Sequence, residues 1–249
     1  MSRFAPAGSI VSFGPGPLSP AVRAIIYSNV GVFVLTLFSP TFFVGQLGML
    51  PQSVVEGGQI WRLVTYLFVH DPGGFGHILF NMLAVWMFGV DLERRWGTPA
   101  FTKYYFVTGI GAGLCQLLVS LLPFEGTAGV YFVPTVGASG AVYGLLLAWA
   151  LLFPHRQVLF MFIFPLPARV FVFIMGGIAF LSAAGGSGNS VAHVAHLGGM
   201  FFGWMYLKGP GTLRLEWQYR LTRWRMDRMR RRFDVHRGGR GDDTDRRLH

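Results

Sequence analysis

The stretch VGASGAVYG, residues 136–144, places a serine, Ser139, among small residues inside one of the most apolar parts of the chain. A serine there can serve a close helix contact, where small residues let two backbones approach. At the start of a helix it gains a second use. Unpaired backbone N–H groups and the helix dipole at that end stabilise a developing oxyanion, so the hydroxyl is placed to act as a nucleophile. Tyr143, four residues on, shares its face one turn deeper.

A nucleophilic serine needs a base. AHLGGMFFG, residues 195–203, offers His196, with Gly199 and Gly203 near the same helical face. That smooth face can pack against Gly140 and Gly144 of the serine helix, which would bring His196 within hydrogen-bond reach of Ser139. A structural histidine is the alternative. His77 and Asn81, spaced i and i+4 in HILFN, project from one helical face. They could donate hydrogen bonds to an oxyanion from the side opposite the backbone donors, or could simply join two helices. Neither the serine segment nor the His196 segment contains Asp or Glu, so a third acidic member of a triad is absent, and Tyr143 could steady the imidazole by stacking. The chemistry this set could perform is acyl transfer by a Ser/His dyad.

The elements that must position these residues are membrane helices. Of 249 residues, 52% are hydrophobic and only 13% charged, a balance unsuited to an ordinary soluble domain. Apolar segments at about 21–38, 77–90, 101–122, 136–153, 170–184 and 191–207 are separated by Gly, Pro and polar breaks. Several fall short of the roughly 20 residues that span a bilayer, but their succession makes buried soluble helices the weaker reading. The expectation is an all-α, polytopic bundle of six transmembrane helices.

Charge placement orients it. Arg94, Arg95 and Lys103 follow the second segment, Arg156 and Arg169 the fourth, and a basic tail the sixth, all on one side if the helices alternate. By the positive-inside rule both termini are cytoplasmic. Residues 123–135 and 185–190 carry no Lys or Arg, and the 39–76 loop carries only Arg62, so the Ser139 end opens outward. Residues 1–20, rich in Pro and Gly, read as flexible and lack the order of a signal peptide, which leaves the first apolar run as an anchor. The expected domains are this segment, the six-helix domain at 21–207, and the tail at 208–249. The tail holds 13 of the 21 basic residues and 6 of the 11 acidic ones. Such a segment is better suited to anionic lipid than to nucleic acid, which is not expected as a partner. Cys115 is the single cysteine, so no intramolecular disulfide or cysteine metal cluster is available. Gly109 and Gly113 could serve a dimer contact or packing within the bundle.

Other intramembrane chemistries fit poorly. His77, His193 and His196 lack the HExxH glutamate of a zinc enzyme, and Asp91 is the only candidate for an aspartyl site. A transporter would call for paired midplane charges or an inverted repeat.

Taken together, Trp61-Arg62, HILFNML (His77 to Leu83), GVDLERRWG, GASGAVYG (Gly137 to Gly144) and AHLGGMFFG (Ala195 to Gly203) resemble the rhomboid intramembrane serine proteases over roughly residues 21–207. The resemblance implies that Ser139 is the nucleophile and His196, rather than His193, the base. His77, Asn81 and the Ser139 backbone N–H would line the oxyanion hole, and Tyr143 would support His196. Gly137, Gly140, Gly199 and Gly203 belong to the matched motifs, and Trp61-Arg62 to an outer loop lying partly in the bilayer. It further implies a basic bacterial-type core in the cytoplasmic membrane, transmembrane protein substrates, and neither cofactor nor metal. A rhomboid-like protein that binds transmembrane helices without cutting them is the alternative.

Overall fold

A computed structural model describes residues 14–123, 130–160, 163–184, 190–209, 217 and 219–229. Expectations for residues 1–13, for 124–129 and 185–189 within the two outer loops, and for most of the tail lie outside the described residues. In chain order the helices are α1 (Pro20–Phe38), α2 (Pro40–Leu47), α3 (Pro51–Val55), α4 (Arg62–Thr65), α5 (Phe75–Trp96), α6 (Thr98–Ser120), α7 (Ser139–Leu152), α8 (Ala168–Ala184) and α9 (Ser190–Lys208). The apolar segments read from the sequence are α1 and α5 to α9. By length and composition, α1 and α5 are each long and apolar enough to cross a bilayer. Residues up to Gly209 form one compact unit, and those from Pro210 a second.

The ends of α5 show why hydropathy misplaces a boundary. The apolar run stops near Val90, but the helix continues through Glu93, Arg94 and Arg95 to Gly97, where φ is 81°. Glu93 is buried there and works. Its carboxylate accepts from the Ala21 and Val22 N–H groups at 2.9 and 3.0 Å, and from the Ser19 and Thr98 hydroxyls at 2.5 and 2.6 Å. The first N–H groups of a helix have no partner within it and form the positive end of its dipole, so this carboxylate caps α1 while tying it to α5 and α6. Near the same end, the Trp86 indole N–H donates to the Gly16 carbonyl at 2.9 Å and Arg94 to that of Pro15 at 2.5 Å, which holds residues 15–17 against α5.

Residues 39–76 are more ordered than a loop, containing α2, α3 and α4. Arg62 organises them from a buried position. Its guanidinium donates to the carbonyls of Gly48 and Gly45 at 2.6 Å each and to the Gln59 side chain at 2.5 Å. A planar fork of donors suits three acceptors in different directions. The all-α expectation needs one amendment: between α7 and α8 lies an antiparallel hairpin of β1 (Gln157–Phe160) and β2 (Phe164–Pro167). Its prolines are tolerable because a two-stranded ribbon consists only of edges.

The core centres on α7, which is apolar around its whole circumference and buried against α5, α6, α8 and α9. Gly109 and Gly113 face Leu67 and Tyr66, so this pair serves packing inside the unit.

Candidate active site

The chain enters α7 through a fastened turn. Met49 and Thr135 exchange backbone hydrogen bonds of 2.9 Å, and the Gly137 N–H donates to the Tyr66 carbonyl at 3.0 Å. Gly137 has φ 119°, a region open to glycine and strained for other residues. Helix α7 then begins at Ser139, whose N–H is among the first-turn groups that no helical carbonyl reaches.

His196, on α9, lies with Nε2 2.9 Å from Ser139 Oγ, although 57 residues separate the two in sequence. Small residues make this approach possible. A Cβ on Gly199 would collide with the Gly140 carbonyl, and one on Gly203 would stand 3.4 Å from the Gly144 Cα. With any side chain at Gly199, α9 would have to retreat and carry His196 with it.

The imidazole is held by its face. Tyr143 stacks on it with ring centroids 4.1 Å apart and planes 5° from parallel, and His193 meets it edge-on at 5.7 Å. Among the described residues, Nδ1 of His196 has no hydrogen-bond partner. For Ser139 to donate to Nε2, the neutral ring must carry its proton at Nδ1.

His77 and Asn81 reach the same place from α5. A Cβ on Gly137 would lie 2.8 Å from His77 Nε2 and 4.0 Å from Asn81 Nδ2. Asn81 gives one amide hydrogen to the His77 carbonyl at 2.8 Å and keeps the other. The Asp71 N–H points at His77 Nδ1 over 3.4 Å, which places the ring proton on Nε2, facing the turn before Ser139. Two side-chain donors and the helix N-terminus thus surround one small space.

Sequence reasoning missed His70. It is fully buried, with its ring 5.1 Å from that of His77, and burial followed by the neighbouring His77 pushes its pKa down to about 4. The signal available was the adjacent DPGG, a turn that Asp71 closes by accepting from the Gly73 N–H at 2.9 Å and that folds His70 back toward His77. Trp61 and Arg62 lie apart from this cluster: Arg62 braces the 39–76 segment, and Trp61 is half exposed with its indole N–H 3.4 Å from the Gln46 carbonyl. Asp91 is also committed elsewhere, paired with Arg156 and accepting from the Trp149 indole at 3.1 Å.

Ser139, His196, His77, Asn81 and Tyr143 line one end of a cavity of about 1010 Å³ between α5, α7, α8 and α9. Met87, Leu146, Phe171 and Met175 make its walls apolar, and Asp91 and Arg156 stand at the other end. Among the described residues, no cluster of three or more His, Cys, Asp or Glu could hold a metal.

The Rhomboid domain model matches residues 57–209, more than half of the 249-residue chain. The chain belongs to the rhomboid family. It is an integral membrane protein of helical fold. The rhomboid chain is 33% identical over 187 residues to "Rhomboid protein 1, mitochondrial" of Saccharomyces cerevisiae, covering 74% of this chain and 51% of that one. It is 32% identical over 155 residues to "Rhomboid protease GluP" of Bacillus subtilis, covering 62% and 27%. To "RHOMBOID-like protein 12, mitochondrial" of Arabidopsis thaliana it is 27% identical over 187 residues, covering 72% and 54%. The chain therefore spans about half the length of these relatives or less. Mitochondrial proteins stand among them, so membership places this rhomboid in a membrane without selecting the bacterial cytoplasmic one.

Proposed function

We propose that this rhomboid-family chain is an intramembrane serine endopeptidase that cuts transmembrane-helix substrates by a Ser139/His196 dyad. The observation that carries the reading is the 2.9 Å approach of His196 Nε2 to Ser139 Oγ at the start of α7. Ser139 Oγ attacks the scissile carbonyl while its proton passes to Nε2 of His196. The resulting oxyanion is met by the Ser139 N–H, His77 Nε2–H and the free Asn81 amide hydrogen. His196 then gives the proton to the leaving amine and the C–N bond breaks, which leaves an acyl ester on Ser139. Water, deprotonated by the same imidazole, attacks that ester, and His196 returns the proton to Ser139.

Helices α1 and α5 to α9 form the six-helix membrane bundle, with both termini on the cytoplasmic side, where Arg94, Arg95, Lys103, Arg156 and Arg169 gather. Helix α7 has 14 residues, so it rises about 21 Å against a hydrocarbon thickness of about 30 Å. With its Leu152 end on the cytoplasmic side, Ser139 lies recessed below the outer surface, in a hollow that water reaches from outside. A substrate helix enters the apolar cavity between α5 and α8. The working domain is 21–207, with 1–20 and 208–249 as appendages.

The test is cleavage of a model transmembrane substrate by purified protein in detergent. Loss in both Ser139→Ala and His196→Ala, with the folds intact, is the expected result. Cleavage that survives Ser139→Ala would overturn the mechanism. Substrate binding without cleavage by the unaltered chain would favour a protein that binds transmembrane helices without cutting them.

A further inference from the structure

Beyond Lys208 the chain turns helical again at residues 217 and 219–229. Trp217, Leu221, Trp224 and Arg228 are spaced four, three and four apart, so they form one stripe along this tail helix. Trp217 is 63% exposed and Trp224 56%, although both are large amphipathic rings. Arg228 lies in the stripe with its guanidinium carbon 5.2 Å over the Trp224 ring. Arg220 and Arg225 stand on the two shoulders of the stripe, and Arg223 lies farther round. On the opposite face, Tyr219 and Thr222 have contacts of their own.

We propose that the tail helix is an interfacial element that lies on an anionic phospholipid surface, with Trp217, Leu221 and Trp224 in the headgroup layer and the arginines paired to lipid phosphates. Three observations choose this occupant. The helix carries four arginines and one aspartate, a charge complementary to anionic headgroups. The exposed apolar side chains of the stripe itself are the two tryptophans, Met226 and Met229 being exposed outside it; a ring with one polar edge suits the headgroup depth and is bracketed by cations that reach back toward phosphate. The tether is short: eight residues, 209–216, separate the helix from the end of α9, so at full stretch it stays within about 30 Å of the bilayer that α9 enters. At that end Lys208 Nζ already sits 5.4 Å over the Trp204 ring, the same pairing of cation and indole.

The experiment uses the full chain in nanodiscs of zwitterionic lipid alone or with added anionic phospholipid, and follows chymotryptic cleavage after Trp217 and Trp224 by mass spectrometry. Cleavage is expected to be about five-fold or more slower in the anionic discs, with the protection lost at high salt. Replacing Arg220, Arg223, Arg225 and Arg228 together by Gln should abolish the difference. Trp217→Phe with Trp224→Phe keeps the cleavage sites and the charge and should weaken the protection. Equal cleavage in both kinds of disc would overturn the proposal, as would protection that survives loss of the arginines. Protection by added RNA in zwitterionic discs, with none from anionic lipid, would overturn it in favour of a nucleic-acid partner. An inactive Ser139→Ala chain should give the same result, so this outcome is separate from that of the protease reading.

Discussion

The His196 ring is oriented by aromatic contacts where a carboxylate would otherwise serve, so the face of Tyr143 should matter more than its hydroxyl. Tyr143→Phe is expected to retain most cleavage activity, and Tyr143→Ala to lose about ten-fold or more in kcat, measured on a transmembrane substrate. Equal losses in the two variants would instead assign the effect to the hydroxyl. Ser139, His196, His77 and Asn81 were legible as candidates because polar groups are costly in apolar helices and stand out against them. His70 was not, because a histidine in a loop segment carries no such contrast; only its burial against His77 marks it.

At the scale of elements, two packing features control the site from outside it. Gly199→Ala puts a methyl group where the Gly140 carbonyl already is, which forces α7 and α9 apart. Cleavage should fall by about a hundred-fold, with the fold retained by circular dichroism, because lengthening the Ser139 to His196 hydrogen bond disables proton transfer. Arg62 acts through the 39–76 segment, which holds the turn before α7. Arg62→Ala leaves the buried Gly48 carbonyl unmet and removes the donor to Gly45 and Gln59, and should cost about 2 kcal/mol, seen as a lowered unfolding temperature in detergent, and Arg62→Lys should restore little because an ammonium lacks the fork. Helix existence was legible from apolar runs. The continuation of α5 to Trp96 was not, since Glu93 reads as the end of a segment until its four partners on α1, α6 and the turn before α1 are seen. Nor were α2 to α4, whose short helices depend on Arg62 and on the bridge to Thr135.

For the whole molecule, the cavity and the stability of the folded unit make separate predictions. If the groove between α5 and α8 admits the substrate helix, Met175→Trp should block cleavage of a transmembrane substrate by about ten-fold or more while a small fluorophosphonate still labels Ser139. Equal loss of both would place the obstruction at the dyad. Acid should weaken the fold through His70. Its folded pKa of about 4 lies below the ordinary 6.5, so the unfolded chain takes up the proton first and stability falls as pH drops from about 6.5 toward 4, by about 3 kcal/mol in all. Unfolding temperature followed against pH checks this, and His70→Gln should flatten the slope in that window.

What the sequence determined by itself was local: which segments are apolar enough to be helices, which polar residues break them, and where positive charge accumulates. These follow from composition and from the helical period, properties of neighbours along the chain. The tertiary structure decided distances between residues remote in sequence: the 2.9 Å between Ser139 and His196, the stack of Tyr143 on that imidazole, and the convergence of His77 and Asn81 on Gly137. Those depend on how closely two helix backbones approach and at what rotation, which is set by the glycines and side chains of both partners together, and no single segment contains that information.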